Sequence, residues 1–229
     1  MKRTVIITGA TDGIGKALAL LLSKDYNLAL CGRSEEKMKQ LTRELGDCPV
    51  YAACFDITDE DKRHAFCEHV KERFGGVDVL VNSAGANTKK DRVAEIDPAD
   101  LRYMFELNCV SPLGMIQEVY PMMAAKQRGL IVNILTSCCL FSNPMTGSYS
   151  ASKDAMEGIS KILTKEAKAD HIGVCSVYPG GVDTGFRATA NPNYLRPETV
   201  ARMIQSCIEN EDGCVHDIVI RPFIEDNMA

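Results

Sequence analysis

The pattern of apolar and polar positions along the chain switches repeatedly between two kinds of segment. Short apolar runs at about 4–8, 27–31, 50–55, 77–81, 129–135, 172–177 and 217–220 read as strands. Longer helix-forming stretches at about 13–24, 34–45, 60–73, 97–126, 147–169 and 197–210 lie between them. Most strand runs are continuously apolar rather than alternating, as expected where helices cover both faces of a sheet. Alternating strand and helix predicts an α/β protein with a doubly wound parallel sheet of about seven strands and helices on both faces. Right-handed crossovers in such a sheet place a ligand beyond the carboxyl ends of the strands. Pro112 falls inside the 97–126 pattern and predicts a kink or interruption there. No repeat, low-complexity tract or interdomain linker breaks the pattern, so residues 1–229 read as one domain.

Two motifs add chemistry to this frame. The first is Thr8-Gly9-Ala10-Thr11-Asp12-Gly13-Ile14-Gly15, between the apolar run Thr4-Val5-Ile6-Ile7 and a strong helix former starting at Lys16. A strand, a glycine-rich turn and a helix start form the context of a nucleotide-binding loop. The glycines allow a sharp turn and a close approach to pyrophosphate. The helix start offers free N–H groups and the positive end of a dipole. The second motif is Tyr149-Ser150-Ala151-Ser152-Lys153. On a helix, positions four apart share a face, so a phenol and an ammonium stand side by side. A nearby cation favours the phenolate and makes such a tyrosine fit for proton exchange near neutral pH.

The glycine spacing G-x-x-x-G-x-G, taken with the Tyr-Lys pair, resembles the short-chain dehydrogenase/reductase family, whose members have the Rossmann fold. The resemblance spans nearly the whole chain in the family's order. Asp56-Ile57-Thr58 looks like the adenine-side aspartate segment. Asn82-Ser83-Ala84-Gly85 is similar to the family's Asn-Asn-Ala-Gly, with one serine substituted. Asn108 sits where the family keeps a helix asparagine, and Pro179-Gly180-Gly181-Val182-Asp183-Thr184 resembles the segment beside the nicotinamide. The resemblance implies a nicotinamide cofactor held by Gly9, Thr11, Asp12, Gly13, Ile14, Gly15, Asp56, Ile57, Asn82, Ala84, Gly85, Tyr149, Lys153, Pro179, Gly180, Val182 and Thr184. It implies that Tyr149 exchanges the proton and that Lys153 lowers its pKa and binds the nicotinamide ribose. It implies that Asn108 helps hold a water linking Lys153 to solvent. The reaction expected is interconversion of a ketone or aldehyde and an alcohol by hydride transfer. The competing expectation is a catalytically silent NADP-binding sensor.

Which cofactor is expected rests on the end of the second strand. An acidic residue about 20 positions past the glycine loop receives the ribose hydroxyl in NAD binders. Here the strand ends in Gly32-Arg33-Ser34, with no carboxylate there. Arginine offers a planar fork suited to a 2′-phosphate, so NADP is the expected cofactor, with Arg33 and Ser34 at its phosphate. Asp12 stands where many NADP-binding members have Lys or Arg, and Glu35-Glu36 follow closely. The hydroxyl that polarises the carbonyl is open between two neighbours. The family's spacing, three past the strand asparagine and 13 before the tyrosine, lands on Thr136, while the serine is Ser137. Strand neighbours point to opposite faces, so either Thr136 serves or a bulge turns Ser137 inward.

Composition narrows the partners. A formal net charge of −5 argues against nucleic acid or an anionic membrane. No run of 18 apolar residues suggests a transmembrane helix, and the expected location is the cytoplasm. The ten cysteines are scattered without a C-x-x-C pair, which reads as reduced thiols packed as small hydrophobes. No H-x-x-x-H pair occurs among the four histidines, and no metal site is expected. The segment near 184–196 should be the lid over a small-molecule substrate, with Leu140, Phe141, Met145 and Tyr178 as possible apolar lining. By the family's habit, helices 97–126 and 147–169 should build a homodimer or homotetramer.

Overall fold

The computed structural model describes residues 2–186 and 191–225. Seven strands, β1 (Thr4–Thr8), β2 (Asn27–Gly32), β3 (Val50–Cys54), β4 (Val79–Asn82), β5 (Gly129–Ile134), β6 (Ile172–Pro179) and β7 (Asp217–Ile220), form one sheet. Their order is β3-β2-β1-β4-β5-β6-β7, and every neighbouring pair is parallel. The order reverses between β1 and β4, which opens a crevice at the strands' carboxyl ends.

Helices α1 (Gly13–Leu22), α2 (Glu35–Glu44) and α7 (Pro197–Glu209) cover one face. Helices α3 (Glu60–Phe74), α5 (Ser111–Lys126) and α6 (Gly147–Glu166) cover the other. The apolar strand runs divide between the two cores. Val5 and Ile7 pack with Leu18, Leu22 and Ile204, while Ile6 packs with Phe66, Met115 and Val119. Burial on both faces explains why these strands lack polar alternation.

The 97–126 stretch is not one helix. It divides into α4 (Pro98–Phe105), a π-helical turn over Glu106–Val110, and α5. Pro112 is the reason: it has no N–H for the carbonyl of Asn108 four residues earlier, so the ladder must be rebuilt locally. Ser111 joins that repair by donating its hydroxyl to the Glu106 carbonyl at 2.8 Å. Pro121, by contrast, is accommodated inside α5 without ending it. Two apolar cysteines behave as small core residues: Cys31 and Cys67 are buried, and burial pushes the Cys67 thiol up to about 12.

Candidate active site

The glycine loop joins β1 to α1 and is fixed from three sides. Asp12 caps α1, its Oδ1 accepting the Gly13 N–H at 2.7 Å. The Ala10 N–H reaches the Cys31 carbonyl at 3.0 Å, and Thr11 packs against Gly32, tying the loop to the end of β2. Gly9 has a φ of +65°, and a Cβ there would lie 2.8 Å from the Ala84 Cα. Glycine is therefore required by both conformation and space. Thr8 supplies the third tie. Its hydroxyl oxygen accepts the N–H groups of Ser83 and Ala84, both at 3.0 Å, locking the loop to the segment after β4.

That segment reaches α6, which carries Tyr149 and Lys153. A Cβ on Gly85 would lie 2.8 Å from Asn108 Oδ1 and 3.2 Å from Lys153 Nζ, so the three residues meet at one point. The side chain of Asn108 is fully enclosed. Its Oδ1 accepts the Ala86 N–H at 3.0 Å, and its Nδ2 donates to the Ala86 carbonyl at 2.9 Å and to Ser152 Oγ at 3.1 Å. The amide thus clamps α6 to the chain after β4. Asn82 likewise turns inward, donating to Asn133 Oδ1 at 2.9 Å and to the Pro112 carbonyl at 3.3 Å. Asn133 continues the chain by donating to Ser160 Oγ at 2.9 Å. These buried amides cross-brace β4, β5, α5 and α6; the Asn82 nitrogen serves that bracing, while its buried Oδ1 has no hydrogen-bond partner among the described residues.

Tyr149 and Lys153 lie one turn apart on α6, both buried. Lys153 donates to the Ile134 carbonyl at 2.7 Å, at the end of β5. Burial lowers its ammonium from 10.5 to about 8, against a smaller opposing pull from Cys139 and Cys109. The ring of Phe186, at the start of the 184–196 segment, leans on the Tyr149 ring with centroids 5.9 Å apart. β5 ends before the two candidate hydroxyls, so the strand alternation expected there does not apply. Thr136 instead caps a 3₁₀ turn over Ser137–Cys139, its Oγ1 accepting the Cys138 N–H at 3.2 Å. Ser137 opens that turn, and both residues are buried.

The remaining sequence candidates divide by role. Asp56 forms a local turn, its Oδ1 accepting the Thr58 N–H and hydroxyl at 3.0 and 2.9 Å. The Ile57 side chain is buried, and its carbonyl takes Arg63 at 2.7 Å. Ser34 caps α2 by accepting the Lys37 N–H at 3.3 Å, and Arg33 is exposed. Pro179 ends β6, and the Gly181 N–H is held by Glu225 Oε1 at 2.7 Å. Val182 bridges to Leu195, and Thr184 stands against Gly13. Ile14 and Gly15 open α1, with Gly15 packed on the Gly9 carbonyl. Leu140 and Met145 are exposed beyond the 3₁₀ turn, but Tyr178 is core: its hydroxyl donates to buried Glu157 at 3.0 Å. Residues 187–190 of the expected lid lie outside the described residues.

Three features were not legible in the sequence. Thr8 as a clamp is one. A second is the Lys37 ammonium, which pairs with Asp12 Oδ2 from 25 positions away. Burial alone would raise the Asp12 carboxyl, but Lys37 and the Gly13 and Gly185 N–H groups together hold it below its ordinary value. The third is a cluster of Cys139, Asp154 and Glu157, whose ligand atoms lie within 4.8 Å of one another. Its groups are already engaged: Glu157 takes Tyr178 and Lys161, and the Cys139 thiol bonds to Asp154.

The fit for a dinucleotide is physical. The glycine loop leads from the carboxyl end of β1 into the start of α1, and the buried Lys153 ammonium lies beside Gly85, after the carboxyl end of β4. Comparison with known proteins agrees. A family model described as short chain dehydrogenase matches residues 3–195. A 3-oxoacyl-[acyl-carrier-protein] reductase of Thermotoga maritima is 30% identical over 234 residues, covering 95% of each chain. An uncharacterized oxidoreductase of Staphylococcus aureus strain MW2 is 28% identical over 225 residues, covering 96% of this chain and 97% of the relative. Among solved structures, an alcohol dehydrogenase of the archaeon Thermococcus sibiricus, complexed with 5-hydroxy-NADP, superposes with a TM-score of 0.89 at 25% identity over 97% of each chain. A metagenomic short-chain oxidoreductase in complex with NADP gives 0.85 at 25% identity over 96% of each.

Proposed function

The chain belongs to the short-chain dehydrogenase/reductase family of NAD(P)-dependent oxidoreductases, and we propose that it is an NADP(H)-dependent enzyme interconverting a ketone or aldehyde and an alcohol. The observation that carries this reading is the buried Lys153 ammonium one helical turn from Tyr149, anchored on the Ile134 carbonyl at 2.7 Å. A structural surface lysine would lie in water; this one is held, at the cost of desolvation, where it can favour a phenolate.

The nicotinamide, when bound, supplies or accepts the hydride. Tyr149 gives a proton to the nascent alkoxide or takes it from the alcohol. Lys153 keeps the Tyr149 phenol able to do so near neutral pH. Thr136 polarises the substrate oxygen. Its Oγ1 already accepts the Cys138 N–H, which orients the side chain and leaves the hydroxyl hydrogen to donate. Asn108 acts as a positioning residue through Ala86 and Ser152. Its main-chain carbonyl, with Pro112 at the position of its usual donor, is the group assigned to a water relay with Lys153. Arg33 would hold the 2′-phosphate, the glycine loop and α1 start would hold the pyrophosphate, and Pro179 to Thr184 would line the nicotinamide side. The described ends of the segment proposed to face substrate are tied together where Leu195 pairs with Gly181 and Asp183. Phe186, Leu140 and Met145 favour an apolar carbonyl compound. Residues 1–229 act as one domain, and the apolar groove between α5 and α6, lined by Leu113, Ile116, Ile159 and Ile162, pairs copies of the chain. Among the described residues, no helix is long and apolar enough to cross a membrane.

The test is a panel of aliphatic, aromatic, acyl-thioester and sugar carbonyls with NADPH and with NADH. Oxidation of NADPH with at least one carbonyl is expected, with higher kcat/KM than for NADH. Tight NADPH binding with no turnover across the panel would instead make the protein a sensor.

A further inference from the structure

We propose that Lys37 is a second cation of the adenosine 2′-phosphate pocket, resting on Asp12 until the phosphate arrives; the inference rests on the NADP reading above. The argument begins with the charge balance at that corner. A phosphate monoester brings a charge of about −1.5 to −2 at neutral pH. Arg33 is the cation that the end of β2 presents, but Glu35 and Glu36 occupy the first turn of α2 right after it. Asp12 adds a carboxylate on the loop itself. Lys16 and Lys39 are engaged elsewhere, pairing with Glu44 at 3.0 Å and Glu35 at 3.6 Å. With Glu35 paired to Lys39, one guanidinium beside Glu36 and Asp12 is still a poor match for a dianion.

The tertiary structure offsets part of this negative charge. The end of β2 packs on the glycine loop through Gly32 and Thr11, so Arg33 and Asp12 belong to one surface. Ser34 accepts the Lys37 N–H, which fixes the first turn of α2 directly behind Arg33. From that turn the Lys37 ammonium reaches Asp12 Oδ2. A cation from α2 thus covers the carboxylate that the loop places there. The pair is half exposed, with 54% and 46% of the two side chains accessible. Pairs this open are weak, and a lysine stem is long and flexible. The ammonium can therefore swing to a phosphate, or bridge phosphate and Asp12, without disturbing the fold. The rival role is a brace that merely holds α2 against α1, and a brace would serve both cofactors equally.

The experiment measures dissociation constants of NADPH and NADH by fluorescence titration for wild type, Lys37→Met and Lys37→Arg. The expected result is an NADPH affinity loss of about tenfold or more in Lys37→Met, with NADH changed by less than about twofold. Lys37→Arg should restore most of the NADPH affinity. Equal losses for both cofactors, or no change in their ratio, would overturn the assignment while leaving the NADP reading intact. A wild type that already favours NADH would remove the NADP reading itself, and this inference with it. Melting temperatures of the variants separate folding defects from binding, and Lys37→Arg keeps the test open should Lys37→Met be unstable.

Discussion

Two lysines in this molecule show what burial does to a charge. Lys153 is 5% exposed, beside Gly85 and Asn108, and its ammonium is held down to about 8. The Lys37 side chain is 54% exposed, on the carboxylate of Asp12. In the dry setting the charge is expensive to keep and acts strongly on the nearest titratable group. In the wet setting it is cheap, screened and free to change partners. The first arrangement suits chemistry that needs a tuned phenol; the second suits recognition of a phosphate that comes and goes.

The most severe way to break this comparison is at the buried end. Tyr149→Phe preserves the ring and its contact with Phe186 but removes the hydroxyl proposed as proton donor. Turnover should fall by about 10²–10⁴ while NADPH affinity stays near wild type. Near-normal kcat would mean that the buried cation serves some other group.

Next in size is the hydroxyl pair. Thr136→Ala should lower kcat by about 10²–10³, as for loss of an oxyanion donor in a dry site, and Ser137→Ala by much less. Thr136→Ser should keep most activity. The reverse ranking would assign the role to Ser137, delivered by the 3₁₀ turn.

A pH titration then sharpens the cost of the buried charge. The fall of Lys153 from 10.5 to about 8 corresponds to roughly 3 kcal/mol. Below about pH 8 folded and unfolded chains both hold the proton, and the fold bears the full cost. Between about 8 and 10.5 the folded chain has released it and the unfolded chain has not, so stability rises with pH. Relative to Lys153→Met, wild type should gain up to about 3 kcal/mol between pH 7 and 10 in denaturant unfolding. A difference that does not move with pH would show that the ammonium is not desolvated.

The smallest expected effect lies at the exposed end. Arg33→Asp should reverse cofactor preference, since a charge-assisted contact is worth about 1.5–3 kcal/mol, roughly 10- to 150-fold in affinity. Measured kcat/KM ratios for NADPH and NADH check it. An unchanged ratio would place the phosphate elsewhere.

Much of this was written in local pattern. Continuous apolar runs such as Val5–Ile7 and Val79–Val81 announced strands covered on both faces, and the glycine loop announced a helix start at a crevice. The i, i+4 spacing of Tyr149 and Lys153 was legible because a helix converts spacing into proximity. The interruption near Pro112 was also legible, since a missing N–H is a property of one residue. Its form was not: the π turn over Glu106–Val110 depends on how Asn108 must sit to clamp Ala86 and Ser152.

The sequence alone therefore determined the alternation of elements, the family and the candidates proposed as reacting groups, because these follow from periodicity and short-range spacing. The tertiary structure decided everything that depends on distant segments meeting. It turned Asn82 into a core brace and Tyr178 into a partner for Glu157, because their side chains find buried acceptors on other elements. It ended β5 before Thr136, so that a capped turn rather than strand alternation aims the two hydroxyls. It also set Lys37 over Asp12, cancelling the local negative charge that the glycine loop shows when read by itself. Charge and burial are sums over neighbours in space, and only the packed chain fixes which neighbours those are.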